Sequence, residues 1–592
     1  MNNFINYLNS TNNVGGNSTG ALAESQVRSS YYDFVKVDRN LGTYIAECVK
    51  SGNHKAFILT GHAGDGKTSI LVQVLKDLGY LQNGDGLKVE ASFPNLIYVK
   101  DMSEIAVEKQ MSVLKMALSA PSVGKTSLLI SNTGPLLRTF ELLIKTQKAE
   151  CGEEYTVNDR MQLQSTLLSQ LDSNKDEPID IGGYSFVLVN IARVDNVPFA
   201  VNILKNILAA NLWSDCGGCL CANRCPIKKN RDLVFRQFDR VAAFVENYYR
   251  YLYENDKRMT IRQMVGQISY ALTGNLTCDD IVSKHLRAPF FNYNFANLFF
   301  GYVGLKAMKD ASQIKGVEQI GNLSLDRIAL DVDYQLFVSQ DLGCFIPELQ
   351  EELKELLTKH RKHYQITDEE QLLNEKKHKK ELQLRCAIRR FYLMFSLHEE
   401  SSEIDYVMNQ IYGPLYTDYR LLTSSKQSKS VLNKMRNTIF EALYMKNTGV
   451  LPDGKTELPL TLRREDDVFQ NVMIVLGEVN RSDISVVQIK SASKFEDVEN
   501  KYELVLKMNE QKFKLTLPMI NYFNNLIIGA ISSNNNPALS HGIAQLDALL
   551  LEEYGDGKPE CEEDCELTVI VSTTRGQEIE RFVFDGNRLN IQ

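Results

Sequence analysis

The chain has 592 residues, 44% of them apolar and 24% charged, and a formal net charge of −8. This composition suits a folded protein of roughly three or four domains and excludes a low-complexity or disordered chain. The acidic balance excludes nucleic-acid binding by overall charge, so any such contact needs a local basic patch. No apolar run approaches the roughly 18–20 residues of a membrane span, and no membrane partner is expected. The start, Met1-Asn-Asn-Phe-Ile-Asn-Tyr7, lacks the basic and apolar regions of a secretory signal. Eleven cysteines in that setting point to the reducing cytoplasm, where grouped cysteines bind metal more often than they pair.

Residues 1–28 are rich in Asn, Ser, Thr and Gly, which predicts a mobile polar segment. Helical patterning starts near Tyr31 and leads to an apolar strand over 55–60. A helix follows over 70–78. Strands are then expected at 95–101, 126–132 and 184–190, alternating with helices at 103–118, 135–148 and 199–212. Buried strands alternating with helices predict a three-layer α/β P-loop NTPase core over 29–212, with a mostly parallel sheet. Residues 151–180 read as a polar insertion within it. A cysteine cluster and helical lid follow over 213–285, then a mainly helical region over 286–440. The last part, 441–592, reads as a β-rich α+β interaction domain.

The most informative stretch is Gly61-His62-Ala63-Gly64-Asp65-Gly66-Lys67-Thr68-Ser69, between the 55–60 strand and its helix. It matches the phosphate-binding pattern G-x-x-x-x-G-K-[ST] in the strand–loop–helix context the chemistry requires. The glycines let successive N–H groups and a helix N-terminus face the phosphates of ATP. Lys67 can reach the β- and γ-phosphates, and the Thr68 hydroxyl can ligate Mg²⁺.

Hydrolysis also needs an acid at a strand end for the metal and a group to orient water. Asp101 ends the apolar run 96–100 in that form, and Glu104 follows one turn later. The alternative for Asp101 is an N-cap of the next helix. Counting only the clearer strands makes 96–101 the second and 126–132 the third, where the acid normally lies, yet that strand ends in Asn132. Asn190 ends the next strand and would take the place of a polar phosphate sensor; a strand-end Asn is also a common turn residue. Arg138, Arg193 and Arg262 are the arginines noted for the γ-phosphate.

Cys216, Cys219, Cys221 and Cys225 fall within ten residues. Such thiolate clusters suit structural zinc, with an iron–sulfur cluster or free thiols as alternatives. The spacing is tight enough to leave one as a bystander, and Cys278 is then the replacement ligand. A dense basic run, 376–380, continues through Arg385, Arg389 and Arg390 beside a glutamate-rich stretch. It is readable as a phosphate contact or as a solvated helix face.

The loop motif, Tyr98-Val-Lys-Asp-Met-Ser-Glu104, Leu128-Leu-Ile-Ser-Asn-Thr-Gly-Pro-Leu136 and the cysteine block ending in Cys225-Pro226, with Asn230, resemble the DptF family. These are ATP-binding components of bacterial DNA-phosphorothioation-dependent restriction, and the likeness covers about residues 30–285. It implies one subunit of an antiphage defence complex, with the nuclease in a partner subunit and DNA contact made through the complex. Two other readings stay open: a nucleotide-dependent structural adaptor, and an autonomous DNA-translocating motor. A homo-oligomer is also left open.

Overall fold

A computed structural model describes residues 1–12, 29–82, 85–173, 176–282, 290–321, 330, 332–339, 341–363, 375–397, 401–462, 472–490, 495–498, 501–530, 536–555, 564–573, 576–585 and 588–591. The chain divides into two compact units. One comprises residues 1–253, 258–411 and 492–499, the other 254–257, 412–491 and 500–592.

The first unit opens with helix α1 (Asn3–Ser10), where a mobile segment was expected. Phe4, Ile5, Tyr7 and Leu8 are buried, and the Phe4 ring meets Trp213 edge-on at 5.8 Å. Asn2 accepts from the Phe4 N–H and donates to the Leu212 carbonyl. Four apolar side chains on one face outweigh the polar residues around them. The rest of that expectation, 13–28, lies outside the described residues.

The sheet of this unit is built from β1 (Ala56–Thr60), β2 (Glu90–Ser92), β3 (Leu96–Val99), β4 (Thr126–Ile130), β5 (Ile179–Ile181) and β6 (Tyr184–Asn190). Its order is β2-β3-β4-β1-β6-β5. The four central strands are parallel, with Phe57 opposite both Leu128 and Val187. β2 and β5 are antiparallel additions at the two edges. Side-chain alternation then assigns the faces. Phe57, Leu59, Leu128 and Val187 pack with Ile70, Leu71 and Val74 of α2 (Lys67–Asp77) and with Leu41 and Ile45 of helix Asn40–Lys50. Ala56, Ile58, Leu129 and Leu188 face the other way, against Leu114 of α3 (Val107–Ser119) and Phe140 of α4 (Thr133–Glu150). Burial of every β1 side chain matches a central parallel strand covered on both faces.

Two details depart from the sequence reading. The short, largely exposed β2 makes 96–99 the third strand, not the second, so β4 lies between β1 and β3. The expected polar insertion contains helix Val157–Ser173, whose Leu163, Leu167 and Leu171 recur every fourth residue and enter the core.

Helices α5 (Pro226–Arg236), Phe238–Glu254 and α6 (Ile261–Thr273) follow. A small hairpin, β7 (Tyr302–Val303) and β8 (Lys306–Ala307), is antiparallel. Helix Glu375–Phe395 carries the basic run, but the side chains of 376–380 lie outside the described residues. Of its arginines, Arg385 pairs with Glu381 and Arg389 with Asp333. Arg390 is buried, donates to Asn297 and lies over the Tyr302 ring. Arg389 and Arg390 thus bridge separate segments, which argues against the phosphate-contact reading for them, whereas Arg385 pairs within its own helix.

The second unit holds an antiparallel sheet of β9 (Glu457–Leu462), β10 (Val472–Asn480), β14 (Asp564–Thr573), β15 (Gly576–Asp585) and β16 (Arg588–Ile591), in the order β16-β15-β14-β10-β9. A second, three-stranded sheet is formed by β11 (Ile484–Lys490), β12 (Tyr502–Met508) and β13 (Gln511–Lys514). Helix α7 (Lys429–Thr448) precedes both, and helices Leu517–Ile527 and Pro537–Tyr554 lie between β13 and β14. Among the described residues no helix is long and apolar enough to cross a membrane.

Candidate functional site

β1 delivers the chain to Gly61, and α2 begins six residues later at Lys67. Gly66 caps α2 at φ 89° with no side chain bonded to the helix end, so the first N–H groups remain open to a ligand. Gly64 is also left-handed, at φ 90°. A Cβ there would come within 3.1 Å of Thr260 Oγ1 and 3.3 Å of Arg262 Cβ, so only glycine lets the start of α6 close over the loop.

Asp65 fixes the loop from inside. It is fully buried, accepts from the His62 N–H at 2.8 Å, and pairs with Arg258 at 2.6 Å. Arg258 also donates to the Ile191 and Val194 carbonyls, and Arg39 Nη1 donates to the Asp65 carbonyl at 3.4 Å. Arg39 in turn meets Asp497 at 3.4 Å, whose other oxygen accepts from the Asn40 N–H. Neither arginine was singled out in the sequence. A buried acid inside a glycine-rich loop needs a buried cation, but nothing in the spacing says where it lies.

The Lys67 ammonium donates to the Gly61 carbonyl at 2.5 Å, the His62 carbonyl at 3.0 Å and Asn132 Oδ1 at 3.4 Å. Burial lowers its pKa. The negative charges of Asp65 and Asp101 oppose that shift, and the Arg262 charge adds to it. Burial also lowers the pKa of the Arg262 side chain, and its backbone N–H donates to the Gly64 carbonyl at 3.4 Å. Thus Lys67, Asp101, Asn132 and Arg262 share one electrostatic neighbourhood at the mouth of the loop. Arg138, exposed on α4, and Arg193 are not among the groups that shift Lys67.

The remaining residues are placed as follows. Asp101 follows β3, and its Oδ1 accepts from both the Ser103 N–H and hydroxyl at 2.8 Å, the N-cap arrangement weighed above. Glu104 is paired with Lys100 at 2.9 Å. Asn190 acts as a turn residue: it accepts from the Ala192 N–H and donates to the Leu171 carbonyl. His62 and Ala63 are exposed at the loop tip, Thr68 is half-buried, and the Ser69 hydroxyl hydrogen-bonds Tyr32. Thr133, not anticipated, meets Thr60 hydroxyl to hydroxyl at 3.0 Å between the ends of β4 and β1.

The cysteines do not form the four-thiol set expected. Cys221 is buried, with its sulfur 3.1 Å from Arg224 and 4.0 Å from the Ile281 carbonyl. Among the described residues no three Cys, His, Asp or Glu side chains gather in a metal-holding arrangement. A different neighbourhood is present. Burial raises the Cys216 and Cys225 thiols; Cys278 and Cys219 raise Cys216 further, and Cys216 and Cys278 do the same to Cys225. The Cys225 sulfur also accepts from the Lys228 and Ile227 N–H groups at the start of α5.

Comparison with known proteins finds no matching family model, no similar curated protein and no similar solved structure. The functional reading therefore rests on the residues themselves.

Proposed function

We propose that the chain is a cytoplasmic P-loop ATPase of the additional-strand type, and that nucleotide state controls its assembly with DNA-processing partners. The observation that carries this reading is the Lys67 ammonium, 3.4 Å from Asn132 and in the field of both Asp101 and Arg262. The position of β4 between β1 and β3 supports it, because that order brings Asn132 and Asp101 to one edge of the loop. With MgATP bound, Lys67 would exchange its bonds to the Gly61 and His62 carbonyls for phosphate oxygens. The open N–H groups of α2 would face the phosphates, and Thr68 would hold Mg²⁺. Among the described residues both hydrogen bonds to Asp101 fall on Oδ1, which leaves Oδ2 to meet a metal-bound water. Arg262 would sense the γ-phosphate from the lid. Glu104 is paired with Lys100, so orienting the attacking water would require that pair to open.

ATP turnover by the purified chain tests this, comparing wild type with Lys67→Ala and Asp101→Ala. Loss of turnover in both variants is expected. Wild-type turnover in Asp101→Ala would remove Asp101 as the metal-side acid, and failure of wild type to bind ATP would sink the whole reading. The likeness to the DptF family supplies the context proposed here: a subunit of a defence complex that acts on unprotected DNA through a partner nuclease.

We also propose that a structural zinc links the lid elements, held by Cys216, Cys219, Cys225 and Cys278, with Cys221 as the bystander. Binding would draw the four sulfur atoms to about 2.3 Å from a common centre and release their protons. Elemental analysis should find close to one zinc per chain, lost in Cys225→Ser and Cys278→Ser and kept in Cys221→Ser. Retention in Cys278→Ser with loss in Cys221→Ser would restore the first set, and a zinc-free wild type would end the proposal.

A further inference from the structure

A cleft of about 480 Å³ in the second unit lies between the start of α7 and β11. Lys426 and Lys429 enter it from the helix side and Lys490 from the end of β11, with Tyr502, paired opposite Lys490 in the sheet, beside them. Among the described residues no carboxylate lines the cleft. Among the described residues none of the three ammonium groups has an ion-pair partner, although acids outnumber bases in the chain as a whole. Lys429 is moreover the first residue of α7, whose opening turn carries no acid. A cation is unfavourable at a helix N-terminus, where the peptide dipoles already place positive charge.

The local scaffold is built to hold this arrangement. Gln488 of β11 donates to the Leu422 and Ser425 carbonyls and accepts from the Gln427 N–H at 2.8 Å, which fixes the loop carrying Lys426. Ser428 caps α7 by accepting from the Val431 N–H. Three lysines with no ion-pair partner among the described residues, a helix end of the same sign and a half-buried tyrosine ring thus surround one partly open cleft. Phosphate groups satisfy the charges, an open cleft admits a polymer, and a tyrosine face stacks a base.

We propose that this cleft binds the phosphate backbone of a single-stranded nucleic acid, through Lys426, Lys429 and Lys490. The site is separate from the ATP loop, so either reading can fail without the other. The test is fluorescence anisotropy of a labelled single-stranded oligonucleotide with the full chain at several salt concentrations. Wild type is compared with K426E/K429E/K490E, and inorganic phosphate, ATP and duplex DNA serve as competitors. The triple variant should weaken binding at least about tenfold and reduce the salt slope by about 2, since each neutralised phosphate on a single strand contributes about 0.7. Its thermal unfolding and ATP turnover should match wild type, because all three side chains are exposed and lack ion-pair partners among the described residues. Tyr502→Ala should weaken binding further and leave the salt slope unchanged. The proposal is overturned if wild type does not bind the oligonucleotide, or if the triple variant binds with unchanged affinity and slope. Competition by free phosphate or ATP at the oligonucleotide's own affinity would also overturn it, as the mark of a small-anion site, and preference for duplex would assign a different polymer.

Discussion

Asp65 shows how one side chain can shape the proposed phosphate loop without touching phosphate. Its carboxylate is fully buried, pairs with Arg258 and accepts the His62 N–H, so it fixes both the charge and the curvature of the loop. Removing one partner of a buried pair leaves the other charge uncompensated, at a cost of about 3 kcal/mol or more. Asp65→Ala should therefore lower unfolding stability in urea by about that amount and abolish nucleotide binding. Arg258→Met combined with Asp65→Leu should recover much of the stability but not the binding, because the loop would lose the bond to His62. If Asp65→Ala unfolds like wild type, the clamp described here carries little energy. The loop residues themselves were legible in the sequence because glycine and lysine spacing encodes local backbone chemistry. Arg258 and Arg39 were not, since their partner lies 193 and 26 residues away in the chain.

Helix α1 makes the corresponding point at the level of elements. It has only eight residues, too few to be stable alone, and it persists because Phe4 and Leu8 are buried against neighbours. Phe4 stands edge-on to Trp213, the single tryptophan of the chain, whose Nε1–H is bonded to the Ile207 carbonyl. Phe4→Ala should cost about 3–5 kcal/mol and shift the tryptophan emission to the red as water reaches the indole. Unchanged emission and stability would mean that α1 is not docked in solution. The expectation of a mobile segment arose because polar residues dominate the composition of 1–28, while the four apolar side chains carry the packing. The β2 strand was left out of the clearer strands for the opposite reason: Glu90-Ala-Ser92 has no apolar pattern and is held by its pairing with β3. Without it the strand count slipped by one and left the acid-bearing strand in doubt.

Across the whole molecule, the long buried strands β1, β3, β4 and β6 could be placed from apolar runs alone, because each is covered on both faces. Less of the second unit was readable. β15 opens on a polar run with a single apolar residue, Gln577-Glu-Ile-Glu-Arg581, and its ladder to β14 is visible only once the chain has folded back. Cys278 was noted as a replacement ligand, but that it shares a neighbourhood with Cys216 and Cys225 depends on the path of three helices and was not encoded in spacing.

The stretch around Asp497 bears on how this protein can be divided. Phe495 is buried in the core that holds β1, and Asp497 balances the buried Arg39, yet both lie between β11 and β12 in the chain. A gene fragment ending at residue 411 would therefore express the Gly61–Ser69 loop with a hole in its hydrophobic core and an unpaired guanidinium behind Asp65. Insolubility of such a fragment would say nothing about whether the loop binds nucleotide. Dissection of this chain into separately produced halves has to supply residues 495–498 to the first half, for example by joining them through a short linker.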